Sequence, residues 1–214
     1  MRPLKIIIAT PLFPPNIGGP ATYAKALSEA WREGGLRVTV VAYGPLERAL
    51  PVGFRHFVYF LRLLPALFGA RAVLALDTWS VGVPALAATT LMRKRLVVRI
   101  GGDFLWETYL GRTGELTKLS QFYGAPRRFS LKEQMIRRAT RALMRGADML
   151  AFNSAWQLAI WQKEYGFPLE KAHVIENIFP GTRGGTPPLG KKFVAAGRDH
   201  PIKNHALFEE VFTR

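Results

Sequence analysis

The chain has 214 residues, of which 49% are hydrophobic, and this is enough to bury a full globular core. It contains no cysteine, which excludes disulfides and thiolate metal sites, and its four histidines are too scattered to predict a metal site. The formal net charge of +15 favours polyanions, anionic membrane surfaces or phosphorylated substrates as partners.

The first stretch predicts a buried strand, a stiff loop and a helix. Apolar residues run almost without a break from Leu4 to Ala9, as in a strand covered on both faces of a parallel sheet. Three prolines then end the strand. Gly18 and Gly19 can bring bare backbone close to a ligand, and Pro20 suits the first turn of a helix.

The start of this helix predicts an anion site. Unpaired N–H groups and the positive end of the helix dipole attract negative charge, by roughly 0.3 to 1 kcal/mol for each favourable charge. We therefore expect a phosphate at Gly18 and Gly19. A tight turn without a ligand fits the spacing equally well, because the loop matches neither the dinucleotide fingerprint nor a P-loop.

Alternating strands and helices follow. A second strand is predicted over 37–43, a crossover helix over 54–68 and a buried strand over 73–76. The aromatic residues and arginines of 54–68 leave an interfacial membrane helix open as an alternative. The apolar run 72–92 is long enough to cross a membrane, but Asp77 and its polar neighbours divide it into a strand and a helix.

An acidic residue stands just beyond the next predicted strand, 95–100. Ligands bind beyond the carboxyl ends of strands in open α/β sheets, so Asp103 is a candidate for chemistry. A helix cap that reaches the N–H of Trp106 is an equally good interpretation. The glycine-rich segment 108–128 predicts a long irregular loop of the kind that forms lids or binding sites.

Arginines form a row on the helix predicted after this loop. Leu131, Met135 and three later residues are predicted to form its apolar face, with Arg137, Arg141 and Arg145 opposite. A solvated face is the default interpretation, and contact with anionic lipid or a phosphorylated acceptor is the functional one. Strands at 148–152 and 173–178 flank a helix that Ser154 opens.

In this order and spacing, the motifs resemble the GT-B glycosyltransferases of family 4, which transfer a sugar from a nucleotide-sugar donor with retention of configuration. The loop from Pro14 to Gly19 looks like the glycine loop of that family. The segment 102–107 resembles a variant of some members, where many others carry a histidine. Segments 147–154, 174–177 and 196–204 resemble the last strand ends of the first domain and the opening of the second.

The resemblance implies an α/β fold: a Rossmann-like parallel sheet with helices on both faces, the first domain of a GT-B fold, and a truncated second domain. We expect an acceptor-side domain over 1–180, a linker over 181–190, and the first strand and helix of a donor-binding domain over 191–214. The 214-residue chain alone is then expected to be inactive or nearly so.

The resemblance also implies roles for individual residues. The donor diphosphate is expected at Gly18, Gly19, Arg198 and Lys203. Asp103 is the expected catalytic residue, since a carboxylate within hydrogen-bond reach can orient an acceptor hydroxyl or take its proton. Trp106 and Glu107 are expected on the acceptor side.

The resemblance implies a nucleotide sugar and a glycan or lipid-linked acceptor as co-substrates, and no metal or other cofactor. The absence of a D-x-D motif agrees with metal-independent transfer. Peripheral contact with an anionic membrane is expected, in a cytoplasmic protein at the inner face of the membrane. Nucleic acid is not expected as a partner. The alternative is a non-catalytic basic module that binds an anionic membrane or nucleic acid.

Overall fold

Parallel strands form one continuous sheet in this computed structural model, which describes residues 3–177 and 209–211. Within those residues there are six strands, in the order β2-β1-β3-β4-β5-β6. They are β1 (Lys5–Thr10), β2 (Arg37–Ala42), β3 (Ala72–Ala75), β4 (Arg95–Ile100), β5 (Met149–Phe152) and β6 (Ala172–Val174). Every neighbouring pair is parallel, which confirms the Rossmann-like α/β fold.

Helices connect the strands. They are α1 (Gly19–Glu33), α2 (Pro45–Ala49), α3 (Val52–Ala66), α4 (Gly82–Met92), α5 (Phe104–Thr113), α6 (Leu119–Phe122), α7 (Leu131–Gly146) and α8 (Ala155–Tyr165). A short 3₁₀ helix, Leu169–Lys171, precedes β6. Among the described residues, no helix combines the length and apolar character that crossing a membrane requires.

The order of the strands places a switch point beside β1. The chain adds β2 on one side of β1 and then returns to add β3 on the other side. In open α/β sheets, a ligand crevice lies beyond the carboxyl ends of the strands at such a point. The loops that follow β1 and β3 therefore flank the expected crevice.

Helices cover both faces of the sheet. On one face, Ile8 packs with Ala24 of α1. On the other, Ile7 of β1 lies in one cluster with Leu63 of α3 and Leu143 of α7. Successive residues of β1 thus point to opposite cores, which explains why its sequence is apolar without alternation.

A second core lies under α5, α6 and α7. It contains Tyr109, Phe122 and Ile136, and Phe122 is completely buried. Arg112 ties α5 to α7 through two hydrogen bonds to the buried carboxylate of Glu133, of 2.7 and 2.9 Å. The predicted irregular segment 108–128 is therefore partly helical, because its apolar residues pack into this core.

The predicted apolar face of α7 is wrong in the first half of the helix. Leu131 and Met135 are 80% and 59% exposed, and Ile136 is buried instead, whereas Leu143 of the predicted face is buried, next to Met144. The pairing of Glu133 with α5 turns this carboxylate inward, and the helix is rotated accordingly. Helix α2 was not predicted, and Pro45, which occupies its first turn, is the residue of this segment that suits a helix start.

Boundaries elsewhere shift by a few residues, and β6 is shorter than the predicted strand 173–178. The predicted linker, 181–190, lies outside the described residues. Of the predicted second-domain segment, 191–214, the structure describes only residues 209–211, which are helical. The domain boundaries therefore stay a prediction.

Candidate functional site

The glycine loop presents the open start of α1 at the carboxyl edge of the sheet. Gly18 has φ 152°, which favours glycine, and α1 begins at Gly19 with no side chain capping it. The carbonyl of Gly18 accepts hydrogen bonds from the N–H groups of Ala21 and Thr22, at 3.0 and 3.1 Å. Within residues 3–177 and 209–211, the amides of Gly18 and Gly19 donate no hydrogen bond.

The space beside Gly19 at this helix start is open, and the first turn is not acidic. The first turn of α1 contains no acidic residue, so the helix dipole is not neutralised there. A Cβ built at Gly19 meets nothing within 4 Å. Ile17, which directly precedes Gly18, is 99% exposed. Free N–H groups, a positive dipole and open space together suit a phosphate.

Hydrogen bonds from α2 fix the loop in this position. Asn16 Nδ2 donates to the carbonyl of Phe13 at 2.7 Å. Arg48 of α2 donates to Asn16 Oδ1 at 2.7 Å and to the carbonyl of Tyr43 at 3.2 Å. Sequence reasoning missed Arg48, because it lies in α2, a short helix that the sequence did not predict. The side chain of Arg48 therefore holds the glycine loop in place without a bound ligand.

Asp103 is buried at the end of β4 and caps α5. It is 2% exposed, and its Oδ1 accepts the N–H of Trp106 at 2.9 Å, which confirms the helix-capping interpretation. Its Oδ2 accepts the hydroxyl of Tyr123 at 2.7 Å. Burial raises the pKa of Asp103 to about 6, although both hydrogen bonds lower it. The catalytic role stays a prediction.

Two tyrosines extend the contacts of Asp103 into the core. The hydroxyls of Tyr123 and Tyr165 lie 3.0 Å apart, which links the end of β4 to the last turn of α8. Burial raises the pKa of both phenols, so both stay protonated at neutral pH. Tyr123 thus donates to the carboxylate as a fixed neutral group.

The other predicted site residues fall into two groups. Trp106 and Glu107 lie in the first turn of α5, beside Asp103, and the indole of Trp106 donates to the carbonyl of Thr117 at 2.8 Å. Arg198 and Lys203 lie outside the described residues. The glycine loop and Asp103 share one edge of the sheet, separated by β3, so their strands lie about 10 Å apart.

Sequence reasoning missed Asp77, which follows β3 between these two positions. Its Oδ1 accepts the N–H of Val81 at 2.9 Å, and burial raises its pKa. The signal was available, since Asp77, like Asp103, comes just after a buried strand.

Sequence reasoning also missed Arg99, a buried cation on β4. Arg99 is 5% exposed and donates to the carbonyl of Ile175 at 2.6 Å and to Asn177 Oδ1 at 2.7 Å. Its guanidinium carbon lies 5.4 Å from the ring centre of Tyr23 on α1. No carboxylate pairs with it in the part of the chain that the structure describes. An arginine inside an apolar strand was its sequence signal.

The described side chains contain no cluster of three or more His, Cys, Asp or Glu that could hold a metal ion. The candidate site comprises backbone amides at the glycine loop and a buried carboxylate across β3. A parallel α/β sheet with an open helix start at its switch point defines the class of Rossmann-like domains that receive a ligand at this edge.

The family model of Glycosyltransferase Family 4 matches residues 17–179. The chain therefore belongs to Glycosyltransferase Family 4, as the resemblance implied, and its family places it among the glycosyltransferases.

Among solved structures, the chain is similar to a UDP-glucosyltransferase from Polygonum tinctorium that is capable of glucosylating indoxyl, in complex with 3,4-dichloroaniline. The identity is 12% and the TM-score 0.43, over 81% of this chain and 52% of that one. The chain thus spans about half the length of that enzyme. No curated protein sequence matches the chain.

Proposed function

We propose that this chain is the acceptor-side domain of a retaining glycosyltransferase. The enzyme moves a sugar, of the hexose type, from a nucleotide-diphosphate sugar to the hydroxyl of a glycan or lipid-linked acceptor. A second domain of a GT-B fold supplies most of the donor site, and the chain alone is inactive or nearly so. The observation that carries the proposal is the uncapped start of α1 at the switch point of a family 4 domain.

The leaving group explains why this arrangement suits the reaction. A departing nucleoside diphosphate develops negative charge, and fixed N–H donors stabilise that charge without having to reorganise. The amides of Gly18 and Gly19 are such donors, since the loop is braced by Arg48. Arg198 and Lys203 add positive charge in the proposal, and no metal or other cofactor takes part.

Asp103 acts on the acceptor hydroxyl in this proposal, either by orienting it or by taking its proton. A carboxyl with a pKa of about 6 is largely ionised at neutral pH and can accept a proton. Because Oδ2 is bonded to Tyr123, an acceptor hydroxyl has to share or replace that hydrogen bond. Trp106 and Glu107, in the first turn of α5, contact the acceptor.

Peripheral contact with an anionic membrane, at the inner face in a cytoplasmic protein, completes the proposal. Phe54 and Phe57 on α3 are 68% and 59% exposed, and Leu61 continues this face one turn on. The net charge of +15 complements an anionic surface. A lipid-linked acceptor would be reached from this position.

A glycine pair tests the donor site. In the full-length gene product, Gly19→Ala places a methyl group in the open space where the diphosphate is proposed to bind. Beyond its chain neighbours and the backbone of its own helix, this methyl group meets no protein atom within 4 Å. Gly53→Ala on α3 is the matched control, since its Cβ also meets nothing within 4 Å. Release of nucleoside diphosphate is measured with a panel of nucleotide sugars.

We expect Gly19→Ala to lower this release about tenfold, the equivalent of roughly one lost hydrogen bond to a charged group. The melting temperature should stay unchanged, and Gly53→Ala should keep normal turnover. The proposal fails if the wild type releases no nucleoside diphosphate from any donor, or if Gly19→Ala matches it. Asp103→Asn should lower turnover far more than donor binding, and near-normal turnover would remove Asp103 from the site.

A further inference from the structure

A basic pocket lies on one flank of α7, facing the last turn of α8, and has no part in the site described above. Its volume is about 310 Å³. We call it the arginine pocket, and it is lined by Arg127, Phe129, Gln134, Arg137, Arg138 and Arg141. Four guanidinium groups therefore face one concave volume, where low-dielectric walls concentrate their field.

Two of these arginines are held in place from below by one carboxylate. Glu164 Oε1 accepts hydrogen bonds from Arg137 Nε at 2.7 Å and from Arg141 Nη2 at 3.2 Å. The side chain of Glu164 is largely buried, whereas both arginines are partly exposed. The carboxylate thus fixes two neighbouring guanidinium groups, and each keeps N–H groups that this contact does not use.

The remaining arginines are arranged in two different ways. Arg127 donates to the carbonyl of Phe122 at 2.8 Å and to Glu115 Oε2 at 2.7 Å, so its guanidinium is fixed. Arg138 is exposed, and no carboxylate in the described part of the chain pairs with it. Four cations meet two carboxylates, which leaves the pocket with two uncompensated positive charges.

We infer that the arginine pocket binds a phosphate group that carries two negative charges. Arginine forks match phosphate oxygens in a planar, two-point manner that lysines cannot reproduce. The preordered guanidinium groups lose little freedom on binding, and the aromatic ring of Phe129, 5.5 Å below Arg137, supplies an apolar wall. The phosphate belongs to a small soluble compound or to a lipid headgroup.

Isothermal titration calorimetry tests the site. Inorganic phosphate and pyrophosphate are titrated into the protein, and the dissociation constants are measured. Arg138→Gln removes the unpaired cation of the pocket without breaking an ion pair. Arg145→Gln is the matched control, because Arg145 is an exposed arginine on the same helix that does not line the pocket. Gly19→Ala serves as a second control for diphosphate binding at the glycine loop.

We expect Arg138→Gln to weaken phosphate binding about tenfold, as for the loss of one charge-assisted hydrogen bond, and Arg145→Gln to change it less than twofold. Gly19→Ala should leave the binding that Arg138→Gln weakens unchanged, so this result is independent of the proposed donor site. Absence of binding at millimolar phosphate and to vesicles overturns the inference. The inference is also overturned if Arg138→Gln and Arg145→Gln lose phosphate affinity equally, or if Gly19→Ala is the only variant that loses it.

Vesicles separate the two sources of phosphate. Phosphatidylcholine vesicles with and without phosphatidic acid are sedimented with the wild type, Arg138→Gln and Arg145→Gln. Retention that depends on phosphatidic acid and falls only in Arg138→Gln assigns the pocket to a lipid headgroup. Binding of soluble phosphate, with retention that is equal in all three proteins, assigns it to a soluble compound.

Discussion

Replacing the buried carboxyl of Asp103 by an amide should change how the stability of the protein depends on pH. The pKa of Asp103 rises from 3.8 to about 6 on folding, chiefly because burial disfavours the charged form. The folded state therefore binds this proton more tightly than the unfolded state does. The resulting stabilisation is complete below pH 3.8 and is lost as the pH rises through about 6.

The size of the effect follows from the shift. One pKa unit corresponds to 1.36 kcal/mol, so a shift of about two units is worth about 3 kcal/mol across this window. In Asp103→Asn the side chain is neutral at every pH, and its oxygen can still accept the N–H of Trp106. The free energy of unfolding of the variant, relative to that of the wild type, should thus rise by about 3 kcal/mol from acid to neutral pH.

Urea unfolding of both proteins, at several pH values on each side of this window, measures the difference directly. Contributions from other titrating groups cancel in the comparison. Tyr123→Phe provides a second test. It removes a hydrogen bond that lowers the pKa of Asp103, so this pKa should rise further and the loss of stability should extend to higher pH. A constant difference between Asp103→Asn and the wild type at all pH values would refute the assigned pKa.

Three further perturbations test the packing and the ion pairs. Gly82→Ala should lower the unfolding free energy by roughly 1 to 3 kcal/mol, because its Cβ would lie 2.5 Å from a backbone oxygen, whereas Gly53→Ala should be neutral or stabilising in urea melts. Arg99→Met should speed hydrogen exchange at Ile175, since the guanidinium holds this segment, and unchanged exchange would contradict that role. Glu133→Gln should lower the unfolding free energy at neutral pH, because the folded state stabilises the ionised carboxylate. Burial alone raises the pKa of Glu133, but its guanidinium partner and its capping hydrogen bonds lower this pKa overall. This cost should shrink as the pH falls below 4.5, and a cost independent of pH would argue against the ion pair.

The parts of the fold that the sequence predicted are those governed by local patterns. A continuous apolar run identifies β1, and the prolines and glycines after it mark the turn into α1. The same local rule identified Asp103 as a residue beyond a strand end, and the capping geometry needed only the next three residues. Such features depend on residues that are close in the sequence, and they can therefore be predicted from it.

Contacts between segments that are distant in the sequence could not be predicted in this way. Tyr123, the second partner of Asp103, lies 20 residues further along, and Glu164 reaches Arg137 from the following helix. The row of arginines was visible, but nothing in its spacing showed that a buried carboxylate fixes two of them. The prediction of which face of α7 is buried failed for the same reason, because the partner of Glu133 is Arg112 on α5, which is distant in the sequence.

The guanidinium of Arg99 gives the end of the sheet a mechanical property. It joins β4, the ring of Tyr23 on α1 and the backbone just beyond β6 at a single point. Pulling Asn177 away would remove one of the two acceptors of this buried guanidinium, which costs free energy. Because the same guanidinium lies against Tyr23, a displacement of this segment would disturb the packing of α1, the helix whose first amides form the proposed anion site.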